Sequence, residues 1–186
     1  EFALSRKDPA YVGRAKEVQA AQKAIEAGEC PLEALEELKP VMAAIQKDYP
    51  EVGKGNVGVG STIFAVKPGD GSAREQAASC QKVLGGFANI CYEFATKRYR
   101  SNCINWGILP FTIDKDVEFN YEDGDSVFVP GIRKAIEEGI ETIPAKVIRK
   151  NGGIDDITLH VKGLTDDEKH IILEGCLMNF YASQNN

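Results

Sequence analysis

Residues 67–75 read Lys-Pro-Gly-Asp-Gly-Ser-Ala-Arg-Glu and separate an apolar segment from an amphipathic one. Val57, Val59, Ile63, Phe64 and Val66 precede this stretch and predict a buried strand. Ser72 and Glu75 have the spacing of a capping box, which predicts that a helix begins here. The stretch therefore indicates the order strand, glycine-rich loop, helix. The predictions for the rest of the chain are placed relative to this unit.

The predicted helix start at Ser72 has a structural and a chemical interpretation. The structural one is an ordinary capped helix. The chemical one is an anion site, because free backbone N–H groups and the positive end of the helix dipole meet at such a loop. Arg74 adds a guanidinium that can bind a carboxylate through two hydrogen bonds. The combination suits a carboxylate substrate or a small phosphate.

Downstream of this stretch, predicted helices alternate with predicted strands. After a helix to about residue 84, the patterns predict strands over 87–91 and 108–113, with a helix over 93–105 between them. A helix is expected over 132–138, a hairpin over 142–149 and 157–161 around Asn151-Gly-Gly, and a last helix over 165–182. Thr165 and Glu168 match a capping box at the start of that last helix. The interspersed elements predict an α/β fold.

Upstream, residues 8–49 predict a pair of amphipathic helices. Asp8 followed by Pro9 is typical of an N-cap with proline at the first helical position. The second helix begins near Pro31, and Pro40 inside it is expected to kink or split it. No catalytic pattern is present in this region.

Composition excludes several classes of protein. The 186 residues carry a formal net charge of −6, which disfavours generic nucleic-acid binding, although Lys97-Arg-Tyr-Arg100 forms a small basic cluster. That cluster is better explained as a solvated face or as a rim that attracts anions. The longest uncharged run, residues 101–113, is too short to span a membrane as a helix. Five widely spaced cysteines indicate neither disulfides nor a metal-ligand pair, and they favour a cytoplasmic protein.

A second distinctive stretch spans residues 100–110 and reads Arg-Ser-Asn-Cys-Ile-Asn-Trp-Gly-Ile-Leu-Pro. It contains the single tryptophan of the chain and two asparagines. Buried amides need hydrogen-bond partners, so the segment is expected to hold a defined backbone shape. His160 and His170 have no carboxylate or cysteine at ligand spacing, and we interpret both as structural. We predict no metal ligand in this chain.

Taken together, the two stretches resemble the aconitase and isopropylmalate isomerase superfamily. Residues 69–77 are similar to the family's GxGSSREH segment. Residues 100–110 are similar to the family's segment R-T/S-N-x-x-x-x-G-x-L-P. They occur in the family's order and at about its spacing, and the resemblance extends over about residues 55–183. Residues 93–102 are most similar to the single-chain aconitase-like hydratases.

The resemblance implies a swivelling β/β/α domain, like the fourth domain of aconitase or the small subunit of the isomerases, with an N-terminal helical pair. Residues 1–54 would be a helical N-terminal segment or insertion of the same domain, and residues 55–186 the swivel domain. Such a domain closes over a [4Fe–4S] cluster held by cysteines of other domains. The reaction is a reversible dehydration of a hydroxy di- or tricarboxylate.

Residue roles follow from the same resemblance. Ser72 matches the catalytic serine, and Arg74 matches an arginine that binds a substrate carboxylate. Gly71 and Ala73 would contribute to substrate binding. The positions expected to support the site structurally are Glu75, Arg100, Asn102, Gly107 and Pro110.

Three departures from the family pattern qualify these roles. Ala73 replaces the family's second serine, and Arg6 and Arg14 stand in the wrong context for a further substrate arginine. The cysteines that would hold the cluster are absent. We therefore expect a fragment of a larger enzyme, inactive alone, whose cluster-bearing partner is in the same polypeptide or a separate subunit. The alternatives are a small subunit of an isopropylmalate-type isomerase and a non-catalytic carboxylate-binding or regulatory module.

Overall fold

Six strands form a single sheet in the computed structural model, which describes residues 8–184 apart from the side chains of residues 32 and 33. In chain order the strands are β1 (Ser61–Ala65), β2 (Gly86–Cys91), β3 (Leu109–Thr112), β4 (Ser126–Phe128), β5 (Thr142–Ile148) and β6 (Ile154–His160). Their order across the sheet is β1-β2-β3-β6-β5-β4. β1, β2 and β3 are parallel, and the other three strands are antiparallel to their neighbours.

Eight helices accompany the sheet in the described part of the chain. They are α1 (Tyr11–Glu26), α2 (Pro31–Ala34), α3 (Leu38–Ile45), α4 (Arg74–Val83), α5 (Lys97–Asn105), α6 (Ile132–Glu138), α7 (Asp166–Glu174) and α8 (Leu177–Gln184). Two of them connect the parallel strands, α4 between β1 and β2 and α5 between β2 and β3. Parallel neighbours require such crossovers, and here α4 and α5 pack against each other.

The main core lies between the sheet and the helices. Its most buried members come from β2, β3, β5 and β6, and include Ile90, Phe111, Val147 and Leu159, each at most 2% exposed. The first part of β5 alternates between exposed and buried residues, as expected for a strand with one face toward solvent.

The sheet is curled, and the connection between β3 and β4 folds back over β1. Phe119 of this connection stacks on Phe64 of β1 with ring centroids 4.1 Å apart. The guanidinium carbon of Arg149 lies over the ring of Tyr121, 4.7 Å from the ring centroid. These ring contacts join the parallel half of the sheet to the antiparallel half.

The N-terminal helices contact both halves of the sheet. Gln22 of α1 accepts a hydrogen bond from the backbone N–H of Val59 at 2.7 Å, just before β1. At the other side, Met42 and Ile45 of α3 pack with Ile148 of β5. The N-terminal helices therefore pack against the sheet at both β1 and β5.

Several predicted elements are confirmed. The α/β class is correct, and α6 coincides with the predicted helix over 132–138. β5 and β6 form the predicted hairpin, closed by a hydrogen bond from Arg149 N to Gly153 O at 2.8 Å. The capping box of α7 forms, with Thr165 and Glu168 exchanging bonds of 3.2 and 3.0 Å.

Helix ends account for most of the differences from the prediction. Asp8 is not the N-cap of α1; Ala10 is, and the Asp8 carboxylate bonds the N–H of Ala10 instead. The second helix divides at Leu35, whose backbone is extended, and not at Pro40. Pro40 lies in the first turn of α3, where its missing N–H would have no helical partner in any case.

Two further differences concern the second half of the chain. The short strand β4 was not predicted, because three residues are too few to show a period. The predicted last helix is two helices, since Gly175 takes a positive φ of 90° between α7 and α8. Over the described residues, no helix is both long enough and apolar enough to cross a bilayer.

Candidate active site

The loop at residues 66–73 leaves the carboxyl end of β1 and leads into α4. Ligand sites of parallel sheets lie at the carboxyl ends of their strands, so this is the expected edge for chemistry. The loop is tied to the neighbouring connection, because Ala95 N donates to the carbonyl of Pro68 at 2.8 Å. It therefore has a defined position relative to the start of α5.

Gly69 is the central residue of this loop. Its φ is +97°, and an added Cβ would lie 2.5 Å from the side chain of Tyr99. Its carbonyl accepts two hydrogen bonds of 3.1 Å, one from Arg74 Nε and one from Thr96 Oγ1. Only glycine allows both this backbone conformation and this approach to the aromatic ring.

The predicted helix start is confirmed, but the capping box at Ser72 is not formed. α4 begins at Arg74 with Ala73 as its N-cap, and no side chain caps it. Glu75 instead accepts a hydrogen bond from Trp106 Nε1 at 3.0 Å. Ser72 is exposed, and within residues 8–184 its hydroxyl has no hydrogen-bond partner. The N–H groups of the first turn of α4 are thus left without a side-chain cap, and Ser72 lies two residues before the helix begins.

Arg74 is fixed by one nitrogen and open at the other two. Its side chain is half-buried, and Nε donates to the Gly69 carbonyl. Among the described residues, Nη1 and Nη2 have no partner. A guanidinium oriented through Nε can present both terminal nitrogens to one carboxylate, which is the geometry of a bidentate pair.

The second stretch has a structural position. Arg100 Nη2 donates to the carbonyl of Lys162 at 2.7 Å, and its Nη1 lies 3.8 Å from Glu168 of α7. Gly107 has a φ of +65°, and a Cβ there would lie 1.9 Å from the carbonyl oxygen of Gly175. Arg100 and Gly107 hold the middle of α5 and the turn after it against the α7–α8 region, whereas the start of α5 contacts the Gly69 loop.

The remaining predicted positions divide in the same way. Gly71 and Ala73 are exposed in the loop beside Ser72. Asn102 is half-buried in α5, where its carbonyl accepts from Trp106 N at 3.2 Å, and Pro110 is buried in β3. Residues 71–75 are thus one continuous segment, and the second stretch contacts it through the hydrogen bond from Trp106 to Glu75.

The basic cluster 97–100 is not one surface patch. Tyr99 is 6% exposed and its hydroxyl accepts from Asn89 Nδ2 at 3.3 Å, while Arg100 is turned toward Lys162. Only Lys97 and Arg98 are exposed, in the first turn of α5. Arg14, considered as a substrate arginine, forms ion pairs with Asp8 and Asp123, and Arg6 lies outside the described residues.

Sequence analysis missed two groups near the site. One is Thr96, which lies inside the predicted helix over 93–105 but is the N-cap of the observed helix, which begins at Lys97; the preference of threonine for N-cap positions was the available signal. The other is an ion-pair cluster in which Glu93 bridges Lys67 and Lys115. Lys67, Glu93 and Lys115 lie two or three residues after the ends of β1, β2 and β3, respectively. The available signal was that these neighbouring parallel strands are followed by a positive, a negative and a positive side chain. Hydrogen bonds from both lysines lower the pKa of Glu93 to about 2.

The cysteines and histidines do not assemble a metal site in the part of the chain that the structure describes. Burial raises the pKa of the Cys91 thiol to about 12 and that of Cys103 to about 11, so both are protonated at neutral pH. His160 contacts Thr142 and Asp114 at 3.4 and 3.3 Å, and His170 stacks on Phe180.

Comparison with known proteins agrees with this arrangement. Residues 58–116 match the family described as the aconitase C-terminal domain, and the matched segment runs from just before β1 to just past β3. The chain is 29% identical over 127 residues to aconitate hydratase A of Rickettsia bellii, covering 66% of this chain and 14% of that protein. It is 29% identical over 126 residues to aconitate hydratase A of Rickettsia conorii (66% and 14%) and 25% identical over 126 residues to that of Bradyrhizobium diazoefficiens (63% and 13%).

The chain spans about one seventh of the length of these relatives. The matched segment includes the Gly69 loop, Ser72 and Arg74, and the mixed α/β fold with its curled sheet is consistent with an aconitase C-terminal swivel domain. Residues 58–116 are therefore similar to the aconitase C-terminal domain, and these findings support a place for this part of the chain in the aconitase superfamily.

Proposed function

We propose that this chain supplies a catalytic serine and a carboxylate-binding arginine to the active site of an aconitase-type hydro-lyase. Ser72 is the proposed base, and Arg74 the residue that binds a substrate carboxylate. The observation that carries the proposal is the Arg74 guanidinium, held by Nε on Gly69 with Nη1 and Nη2 unengaged by the described residues. It lies beside a serine hydroxyl at an uncapped helix end.

The chemistry proposed for Ser72 is removal of a proton from the carbon next to a carboxylate. As an alkoxide, Ser72 would accept that proton, the electron pair would form the carbon–carbon double bond, and hydroxide would leave the neighbouring carbon. A serine is a weak base in water, so its alkoxide needs a preorganised positive environment. The N-terminal end of α4 and the guanidinium of Arg74 supply positive charge at that position.

The proposed substrate is a hydroxy di- or tricarboxylate. Arg74 would bind one carboxylate, and the exposed backbone at Gly71 and Ala73 would contact the substrate beside it. Ala73 has no hydroxyl to donate, so one substrate hydrogen bond of the family pattern is missing. Glu75, Arg100, Asn102, Gly107 and Pro110 are proposed as supporting residues that keep α4 and α5 in place.

For the complete protein we propose a [4Fe–4S] cluster whose ligands lie outside this chain. The relatives support this proposal through their family. The thiols present here do not fit the role, because the five cysteines are dispersed and, among the described residues, no three His, Cys, Asp or Glu side chains come together to hold a metal ion. The role of this chain is therefore limited to binding, orientation and proton transfer at Ser72 and Arg74.

We also propose that this chain is a piece of a longer cytoplasmic polypeptide and is inactive by itself. Residues 1–54 would be a helical segment added to the swivel domain of residues 55–186; of these, residues 1–7 lie outside the described part. The proposal is supported by the short share of the relatives that the chain spans. The cluster-bearing domains would be its partner, in the same polypeptide or as a large subunit of an isopropylmalate-type isomerase.

A second candidate is a carboxylate-binding module without catalysis. Ala73 favours it, as does the engagement of Arg14 by two aspartates, Asp8 and Asp123. The two candidates differ in what the chain does alone. A binding module should quench or shift the fluorescence of its single tryptophan, Trp106, on addition of citrate, because Trp106 bonds Glu75 beside Arg74. A catalytic fragment should show little change.

The proposal is tested by Ser72→Ala in the complete polypeptide. Loss of a positioned proton acceptor should lower kcat by roughly 10²- to 10⁴-fold with the cluster absorbance unchanged. Ser79→Ala is the matched control, since Ser79 lies in α4, the helix that follows Ser72, and its hydroxyl donates to the carbonyl of Gln76. A kcat for Ser72→Ala close to that of Ser79→Ala would refute the catalytic role.

A further inference from the structure

The carbonyl of Gly69 is shared by donors from two helices. Arg74 Nε at the start of α4 and Thr96 Oγ1 before α5 each donate to it at 3.1 Å. A carbonyl oxygen has two lone pairs, so both bonds can form together. Any movement of this oxygen therefore changes the direction in which the Arg74 guanidinium is held.

Thr96 is itself fixed. Its Oγ1 accepts the N–H of Tyr99 at 3.2 Å as the N-cap of α5, which leaves its single proton for Gly69. The adjoining N–H of Ala95 donates to the carbonyl of Pro68 at 2.8 Å. The residues before α5 thus hold two successive carbonyls of the loop.

The position of Gly69 is also fixed by packing against Tyr99. The ring of Tyr99 fills the space beside its Cα, and Tyr99 is anchored in the core, where Asn89 Nδ2 donates to its hydroxyl at 3.3 Å. The loop therefore rests on a buried side chain and is held laterally by Thr96. Of these contacts, the Thr96 bond is the one that acts on the same oxygen as Arg74.

We propose that Thr96 is a positioning residue for carboxylate binding. Its hydroxyl holds the Gly69 carbonyl so that Arg74, bonded through Nε, keeps Nη1 and Nη2 oriented toward a substrate carboxylate. Bidentate binding depends on the plane of the guanidinium, so loss of this restraint weakens substrate binding before it affects the chemical step. The inference rests on the proposed role of Arg74.

The test compares Thr96→Val, which removes the hydroxyl at similar volume, with Thr96→Ser, which retains it. In the complete polypeptide, assayed with citrate and with malate, Thr96→Val should raise KM about tenfold and change kcat less than about threefold. Thr96→Ser should restore a KM within about twofold of the unmodified protein.

A structural control separates positioning from loss of a helix cap. Thr165→Val removes the cap of α7, in which the threonine hydroxyl also accepts an N–H three residues on at 3.2 Å, but this threonine is not bonded to the Gly69 loop. This variant should keep the original KM. Equal increases of KM in Thr96→Val and Thr165→Val would overturn the proposal, because the effect would then come from general destabilisation.

A second readout does not depend on activity. In the ¹⁵N-labelled chain, the Nε–Hε proton of Arg74 should exchange with solvent about tenfold faster in Thr96→Val than in Thr96→Ser. Unchanged exchange together with unchanged KM would overturn the positioning role and leave the role of Ser72 intact. Absence of turnover with both acids in the unmodified complete protein would instead count against the proposed function, and the exchange rates would still decide the role of Thr96.

Discussion

Replacing Gly69 by alanine tests how the loop that carries Ser72 and Arg74 is built. The change has two costs. A φ of +97° disfavours any residue with a Cβ by about 1–2 kcal/mol. The added methyl would also lie 2.5 Å from the Cβ, Cγ and Cδ1 atoms of Tyr99, and overpacking of this kind costs about 1–3 kcal/mol.

Tyr99 cannot easily yield to the new methyl group. It is 6% exposed, packs with Ala78, Cys103 and Ile108, and is bonded by Asn89. We therefore expect Gly69→Ala to lower the free energy of unfolding by about 3 kcal/mol, and to lower Tm by roughly 6–12 °C for a chain of this size.

The measurement is urea unfolding of the chain, followed by circular dichroism, beside Gly71→Ala as a matched control. Gly71 lies two residues away in the same loop with no atom within 4 Å of an added Cβ. Its variant should stay within about 0.5 kcal/mol of the unmodified chain. Equal stability of the two variants would refute the reasoning, because it would show that the loop does not rest on Tyr99.

Two further predictions concern stability. Gly107→Ala should destabilise the chain by more than about 3 kcal/mol, because its Cβ would meet the backbone oxygen of Gly175 at 1.9 Å, and a backbone oxygen cannot move aside as a side chain can. Gly163→Ala, with the same φ of +65° and open space around it, should cost only about 1–2 kcal/mol in the same urea titration, and equal losses would contradict the steric argument. The Lys67–Glu93–Lys115 cluster predicts a pH effect. The pKa of Glu93 is about 2 in the folded chain, against a reference value of 4.5. The ionised Glu93 therefore stabilises the fold above pH 4.5, and this contribution is lost as the pH falls toward 2. The difference in stability between the unmodified chain and Glu93→Gln should therefore shrink over that interval, and a difference independent of pH would show that the ion pairs contribute nothing.

The strengths and errors of the sequence interpretation have separate physical causes. Helix α6 and the β5–β6 hairpin were placed well because their signals are local, in apolar spacing and in a turn of Asn151-Gly. The predicted cap of α1 at Asp8 and the predicted break at Pro40 were wrong. Helix ends depend on which backbone groups find partners, and those partners are supplied by the surrounding structure.

The capping box at Ser72 shows the same limit at the site. Its spacing is correct, but Glu75 is used by Trp106, which lies 31 residues away in sequence, and the helix begins one residue later than a Ser72 cap requires. The uncapped helix end and the open hydroxyl follow from that distant contact. No local pattern around residue 72 contains this information.

By itself, the sequence determined the α/β class, the order of most helices and strands, and the two stretches that identify the superfamily. These depend on periodicity, turn residues and short motifs, which are properties of neighbouring residues. Only the tertiary structure decided that Gly69 rests on Tyr99, that its carbonyl joins Thr96 to Arg74, and that Arg100 turns away from the site. Each of these is a contact between residues far apart in sequence or on different elements, and it exists only once the crossovers between β1, β2 and β3 place α4 and α5 side by side.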